Sequence, residues 1–196
     1  MRIGFIIAAL FAFAASVSAP AHAESYAKIA TSKGDIIVEL YPDKAPATVA
    51  NFLEYATSGH FDHTIFHRIV AGFVIQGGGY SRLFTERPTR DPIPYEGANG
   101  LKNLRGTIAM ARTSDPDSAT AQWFINLKDN DKLDHSVTDL GPRYGYAVFG
   151  KVVEGMDVVD AIGAVATGPG GPFESEVPVE PIFIERIDPV DWSPAE

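Results

Sequence analysis

The sequence predicts a mainly β fold covered by two helices, and three observations carry that prediction. Short segments rich in β-branched residues recur along the chain, bounded by glycine- and proline-bearing stretches. Two segments switch to a helical period. No internal repeat and no shift of composition marks a second domain, so the strands must share one core. A mainly antiparallel barrel and a sandwich both satisfy these features, and only closure into a barrel would remove exposed edges.

The elements follow in order. Residues 26–31 and 36–41 read as strands, and Ser32-Lys33-Gly34-Asp35 between them as a hairpin turn with Gly34 free to take positive φ. Pro42-Asp43-Lys44-Ala45-Pro46 breaks the strand. Val49, Phe52, Leu53 and Ala56 then fall at i, i+3, i+4 and i+7, one face of a helix that Pro46 can start and Gly59 can stop. Strand character returns over residues 64–70, 73–76, 107–111, 122–127 and 147–153. A second helix is expected over 156–162, with Met156, Val159 and Ile162 on one side and Gly163 after it. A closing strand is expected over 182–187. Three stretches, 77–99, 112–120 and 167–181, read as loops, and the last suggests no function.

The first 23 residues stand apart. Arg2 precedes an apolar run from Ile3 to Ala15, and small residues lead to Ala21-His22-Ala23, an Ala-x-Ala cleavage pattern. The run is roughly 13 residues, short of the roughly 20 a spanning helix needs. The expectation is therefore a signal peptide over residues 1–23, a domain over 24–196, and a periplasmic or secreted protein with no membrane attachment after cleavage. About 170 remaining residues suit one core. With no cysteine, stability in an oxidising compartment must come from packing. A net charge of −9 without any long basic run excludes general nucleic-acid binding. One compact domain without an obvious exposed apolar helix suggests a monomer.

Hydrolytic and phosphate-binding patterns are missing: there is no Gly-x-Ser-x-Gly, no Gly-x-x-x-x-Gly-Lys-Ser/Thr and no His-Glu-x-x-His. His60, His63 and His67 lie close together, but the segment around them reads as strand and Asp62 is the only nearby carboxylate, so structural or exposed histidines are expected and no metal. Arg68 sits inside the apolar run Phe66-His67-Arg68-Ile69-Val70, sharing a pleat face with Phe66 and Val70. By composition it reads as an arginine on the solvent side of a half-buried strand, its stem over apolar neighbours. Gln76 ends a second apolar strand before Gly77-Gly78-Gly79, where the backbone can turn or approach closely.

Four blocks in order, residues 66–78, 106–112, 118–126 and 146–156, resemble the cyclophilin family. Phe66-His67-Arg68-Ile69 with Gly72-Phe73 and Gln76-Gly77-Gly78 is similar to its signature. Gly106-Thr107-Ile108-Ala109-Met110-Ala111-Arg112 resembles the strand leading to its substrate groove. Ser118-Ala119-Thr120-Ala121-Gln122-Trp123-Phe124-Ile125-Asn126 resembles its Ser-Gln-Phe-Phe-Ile segment. Tyr146-Ala147-Val148-Phe149-Gly150-Lys151-Val152 with Gly155-Met156 resembles its Phe-Gly-Lys-Val-x-x-Gly-Met region. Arg112-Thr113 and Leu133-Asp134-His135 make the chain most similar to bacterial periplasmic members. The resemblance implies a closed antiparallel eight-stranded barrel capped by two helices, and peptidyl-prolyl cis-trans isomerisation in exported proteins without a cofactor or metal. It implies Arg68, Gln76, Phe73 and Phe124 as catalytic residues. Val74, Ala111, Arg112, Thr113, Gln122, Leu133 and Tyr146 would bind substrate, with the Arg112 backbone pairing to an extended chain. The implied partners are proline-containing segments of unfolded or folding exported proteins. Val74 departs from the methionine of many relatives and should serve as an apolar wall; Tyr146 departs from the histidine usual in eukaryotic members, a change typical of bacterial ones. The alternative is a non-catalytic module that grips proline segments with the same groove.

Overall fold

The computed structural model describes residues 26–193; the expected signal peptide lies outside the described residues. In chain order the elements are β1 (Tyr26–Thr31), β2 (Gly34–Leu40), α1 (Pro46–Thr57), β3 (Thr64–Ile65), β4 (Arg68–Val70), β5 (Val74–Gly77), β6 (Thr107–Met110), β7 (Trp123–Asn126), β8 (Ser136–Thr138), β9 (Gly141–Arg143), β10 (Val148–Glu154), α2 (Met156–Gly163), β11 (Thr167–Gly170), β12 (Phe173–Pro178) and β13 (Phe183–Pro189). The β1–β2 hairpin forms as its turn chemistry demands, Thr31 pairing with Gly34 and Gly34 at φ +132°. Among the described residues, no helix is long and apolar enough to cross a membrane.

Nine strands make the main sheet in the order β3-β13-β1-β2-β10-β6-β7-β5-β4, every pair antiparallel. Its edge strands β3 and β4 are joined by only Phe66 and His67. Taken as one bent strand they bring the sheet round to its own beginning, which is the eight-stranded barrel with two helices that the resemblance implied. The seam is two residues of chain, since no ladder pairs β3 with β4 among the described residues.

That bend corrects the expectation of one regular strand over 64–70. Strict alternation would put Phe66 and Arg68 on one face, but Phe66 and His67 are both buried while Arg68 is half-buried. Phe66 turns inward, its ring 5.8 Å from Trp123. The stretch 167–181, expected as a loop, carries β11–β12, and residues 136–143, for which no element was expected, carry β8–β9; both are small separate hairpins.

Inside the barrel, Ile69, Ile75, Ile125 and Ile108 form a row of cross-strand partners across β4, β5, β7 and β6. From outside, α1 buries Val49, Phe52, Tyr55 and Ala56, and α2 buries Val159 and Ile162, the faces their periods predicted. Phe52 reaches Phe149, Phe61 and Trp123 at ring distances of 5.2, 5.5 and 6.3 Å. α1 has no side-chain cap of its own, Ala45 preceding it. Glu96, from the long loop after β5, substitutes: its carboxylate accepts from the Ala47 and Thr48 N–H groups at 3.1 and 2.8 Å, satisfying donors that a helix start leaves unpaired.

Candidate active site

Register builds the site. On the face opposite the isoleucine row, Arg68, Gln76, Phe124, Ala109 and Val148 are successive cross-strand partners on β4, β5, β7, β6 and β10. The β4–β5 connection that sets this register is Ala71-Gly72-Phe73, with Gly72 at φ +64°, the left-handed position that a three-residue hairpin loop requires. The row therefore runs from a charged residue through an amide to an apolar floor.

Val74, Ala109, Phe124 and Val148 form a small apolar cluster separate from the barrel core, half covered by Phe73, Leu101, Ala111, Leu133 and Tyr146. Between floor and cover lies a cavity of about 100 Å³ lined by Arg68, Phe73, Val74, Gln76, Ala111, Arg112, Phe124, Leu133 and Tyr146. Small-molecule pockets run from roughly 300 Å³ upward, so this slot suits one small ring or side chain. Phe124 meets Tyr146 edge-on, 5.4 Å between centroids.

Nine of the eleven residues expected at the site line this slot. The other two stand behind or beside it. Gln122 accepts a hydrogen bond from Gln76 Nε2 at 2.9 Å, and Gln76 Oε1 accepts from Arg68 Nη1 at 3.4 Å. Gly79 allows this relay, because a Cβ there would sit 2.7 Å from the Gln122 side chain. Thr113 is exposed and is tied instead to Ser118, its hydroxyl donating at 2.8 Å. The Arg112 guanidinium donates to the carbonyls of Tyr144 and Gly145 and lies 4.9 Å over the Tyr146 ring, so it fastens that wall in place. Its backbone N–H and C=O take no partner among the described residues.

Two contributions escaped the sequence reading. A buried amide network holds the lid: Asn130 Nδ2 donates to the Phe73 carbonyl and to Asn126, Asn126 donates to Asn103, and Asn103 donates to the Leu133 carbonyl and to Asp134. Asn103 and Asn130 stand in loops, where nothing in a single sequence marks an asparagine as buried. The second is Glu176 on β12, whose Oε2 accepts from Arg68 Nε at 2.7 Å. It lies in the stretch read as a loop to which the sequence assigns no function, and no periodicity points it at Arg68.

The three histidines are used separately. His60 packs at a tilt against Tyr55 and approaches the Gly78 carbonyl, His63 faces Glu185 near the surface, and His67 is buried between Tyr80 and Phe173. Burial, with the neighbouring Arg68 charge, pushes the His67 imidazole down to about 4. No group of three or more His, Cys, Asp or Glu that could hold a metal occurs among the described residues.

Comparison with known proteins shows the family. A family model described as cyclophilin type peptidyl-prolyl cis-trans isomerase/CLD matches residues 26–188. Peptidyl-prolyl cis-trans isomerase B of Escherichia coli is 52% identical over 157 residues, covering 80% of this chain and 94% of that protein. Peptidyl-prolyl cis-trans isomerase A of Dickeya dadantii is 49% identical over 174 residues, covering 89% and 86%. The structure of a Cryptosporidium parvum cyclophilin in the presence of the dipeptide Ala-Pro aligns with a TM-score of 0.67 at 27% identity, over 85% of this chain and 99% of the other. The chain belongs to the cyclophilin-type peptidyl-prolyl cis-trans isomerases.

Proposed function

We propose that this protein catalyses the cis–trans isomerisation of X–Pro bonds at the slot between Phe124 and Leu133, with Arg68 as the principal catalytic group. The carrying observation is a guanidinium held by Gln76 at the rim of an apolar slot of single-ring size. Amide resonance sets a barrier of about 18–20 kcal/mol, and no covalent bond breaks, so an enzyme need only favour the twisted amide over both planar forms. As planarity is lost the prolyl nitrogen becomes pyramidal and basic. A fixed N–H donor at that nitrogen, or at the adjacent carbonyl oxygen, stabilises the twisted state, and an arginine side chain is charged at any relevant pH. Phe73, Val74, Phe124, Leu133 and Tyr146 would grip the ring, Gln76 would orient Arg68 and contact substrate backbone, and Ala111, the Arg112 backbone and Thr113 would border the extended chain. Gln122 acts behind Gln76.

The structural relative obtained with Ala-Pro supports proline-containing segments as substrate. The expected cleavage after Ala23 supports exported proteins, still unfolded or folding, as clients of a monomeric enzyme in the periplasm or outside the cell. N-terminal sequencing of the exported protein should begin at Glu24; a start at Met1 overturns the export reading alone. NMR exchange or a protease-coupled assay on a proline peptide tests the enzyme reading. Arg68→Ala should lose roughly 2–4 kcal/mol of transition-state stabilisation, a hundred-fold or more in rate, by analogy with deleting an oxyanion donor. Peptide binding with no acceleration by the parent protein would leave the non-catalytic proline-gripping module in its place.

A further inference from the structure

We propose that Glu176 is a positioning residue for Arg68: by holding Nε it fixes the plane of the guanidinium so that its remaining N–H groups face the slot. This rests on the reading of Arg68 as the catalytic group. Three observations point to it. The Glu176 carboxylate receives Nε at 2.7 Å, while Gln76 receives Nη1 from the other side. Held at two separate nitrogens, the guanidinium cannot rotate about its bond to the stem, and Nη2 is left without an acceptor among the described residues. A donor fixed in direction before the amide twists is worth more than one that must first be oriented.

The hairpin that carries Glu176 is itself pinned. Phe173 packs among His67, Tyr80 and Phe84 at ring distances of 5.7, 5.2 and 6.3 Å, and Val177 is buried. Between these anchors Glu176 adopts φ +68°, a backbone conformation uncommon for a residue with a side chain. A conformation of this kind persists where its surroundings enforce it, and such positions gather at working sites. The side chains of Arg68 and Glu176 are 36% and 38% exposed. An ion pair that exposed contributes little to stability, so a purely structural role would leave almost no trace when the carboxylate is removed.

The test is steady-state and NMR-exchange kinetics on a proline peptide, with melting temperature measured alongside. Glu176→Ala should lower kcat roughly ten-fold through misorientation, with KM and melting temperature nearly unchanged. Glu176→Gly, which suits the positive φ, should do the same and guards against a folding defect in the alanine variant. Glu176→Gln keeps an acceptor at the same reach and should recover most of the rate. Glu174→Ala, an exposed neighbour on β12, should match the parent. In an Arg68→Ala background, Glu176→Ala should add nothing. The inference is overturned if both carboxylate deletions run at or above the parental rate, if Glu176→Gln behaves as Glu176→Ala, or if the loss persists without Arg68. Parental activity in Arg68→Ala by itself would instead remove Arg68 as the catalytic group, the reading on which this rests.

Discussion

The two faces of β5 and β7 are made by the same alternation, yet they end as different things. Ile75, Trp123 and Ile125 point into the barrel and are sealed there by Phe52 and Phe61. Val74 and Phe124 point the other way and are nearly as buried, but only by a lid of Phe73, Leu133 and Tyr146 that leaves a slot. Hydrophobic burial alone therefore does not distinguish a core from a binding surface. What distinguishes them is the cover: close-packed rings on one side, and on the other a loop hung from a buried asparagine network.

Paired truncations sharpen that difference. Phe52→Ala empties a volume enclosed by Phe61, Phe149 and Trp123, and should cost about 3–5 kcal/mol of stability, with activity per folded molecule little changed. Phe124→Ala removes the floor of a slot already open to solvent, so it should cost nearer the transfer term, roughly 2 kcal/mol. Its larger signature is kinetic, a loss of kcat/KM of roughly ten-fold or more as the ring loses its seat. Denaturant melts and exchange kinetics on both variants decide the matter. Equal destabilisation would mean the outer cluster is core and that the slot is incidental.

Where local pattern determined the outcome, it was legible. The positions Val49, Phe52, Leu53 and Ala56 announce α1, and the Ser32–Asp35 turn announces the β1–β2 hairpin. The failures share a physical cause, which is that distant packing decided the local form. Phe66 and His67 are buried side by side because the barrel seam bends there, and alternation cannot foresee a bend. β11 and β12 pair although Thr-Gly-Pro-Gly and Phe-Glu-Ser-Glu carry little strand preference; Phe173 among three rings holds them. For the site, resemblance found the slot residues, while the residues themselves left Arg68 as an ordinary solvent-side arginine. Its Gln76 partner follows once the register across Gly72 is known. Glu176, more than a hundred positions away in the chain, follows from nothing local.

The pH dependence of stability tests the joint between these regions. His67 is 2% exposed, and its Nδ1 has no hydrogen-bond partner among the described residues. Burial first, and then the Arg68 charge, lower it to about 4, with Gln122 and the Ile65 backbone pulling the other way. The unfolded chain takes up that proton near pH 6.5 and the folded one near 4, so between these values the unfolded state binds more protons and stability must fall as pH falls. The ceiling is roughly 3 kcal/mol, reached at about pH 4. His60, lowered by burial as well, adds to the slope with the same sign. Denaturant melts from pH 7 to 4 should show this decline, and His67→Phe, which keeps a ring between Tyr80 and Phe173 but removes the proton site, should flatten much of it. An unchanged slope in that variant would place the acid sensitivity elsewhere. Because the same ring ties β4 to the hairpin bearing Glu176, protonation of His67 should loosen Arg68 from its carboxylate before the barrel core gives way. Isomerase activity should therefore decline with acid ahead of the melt, and ahead of it by less in His67→Phe.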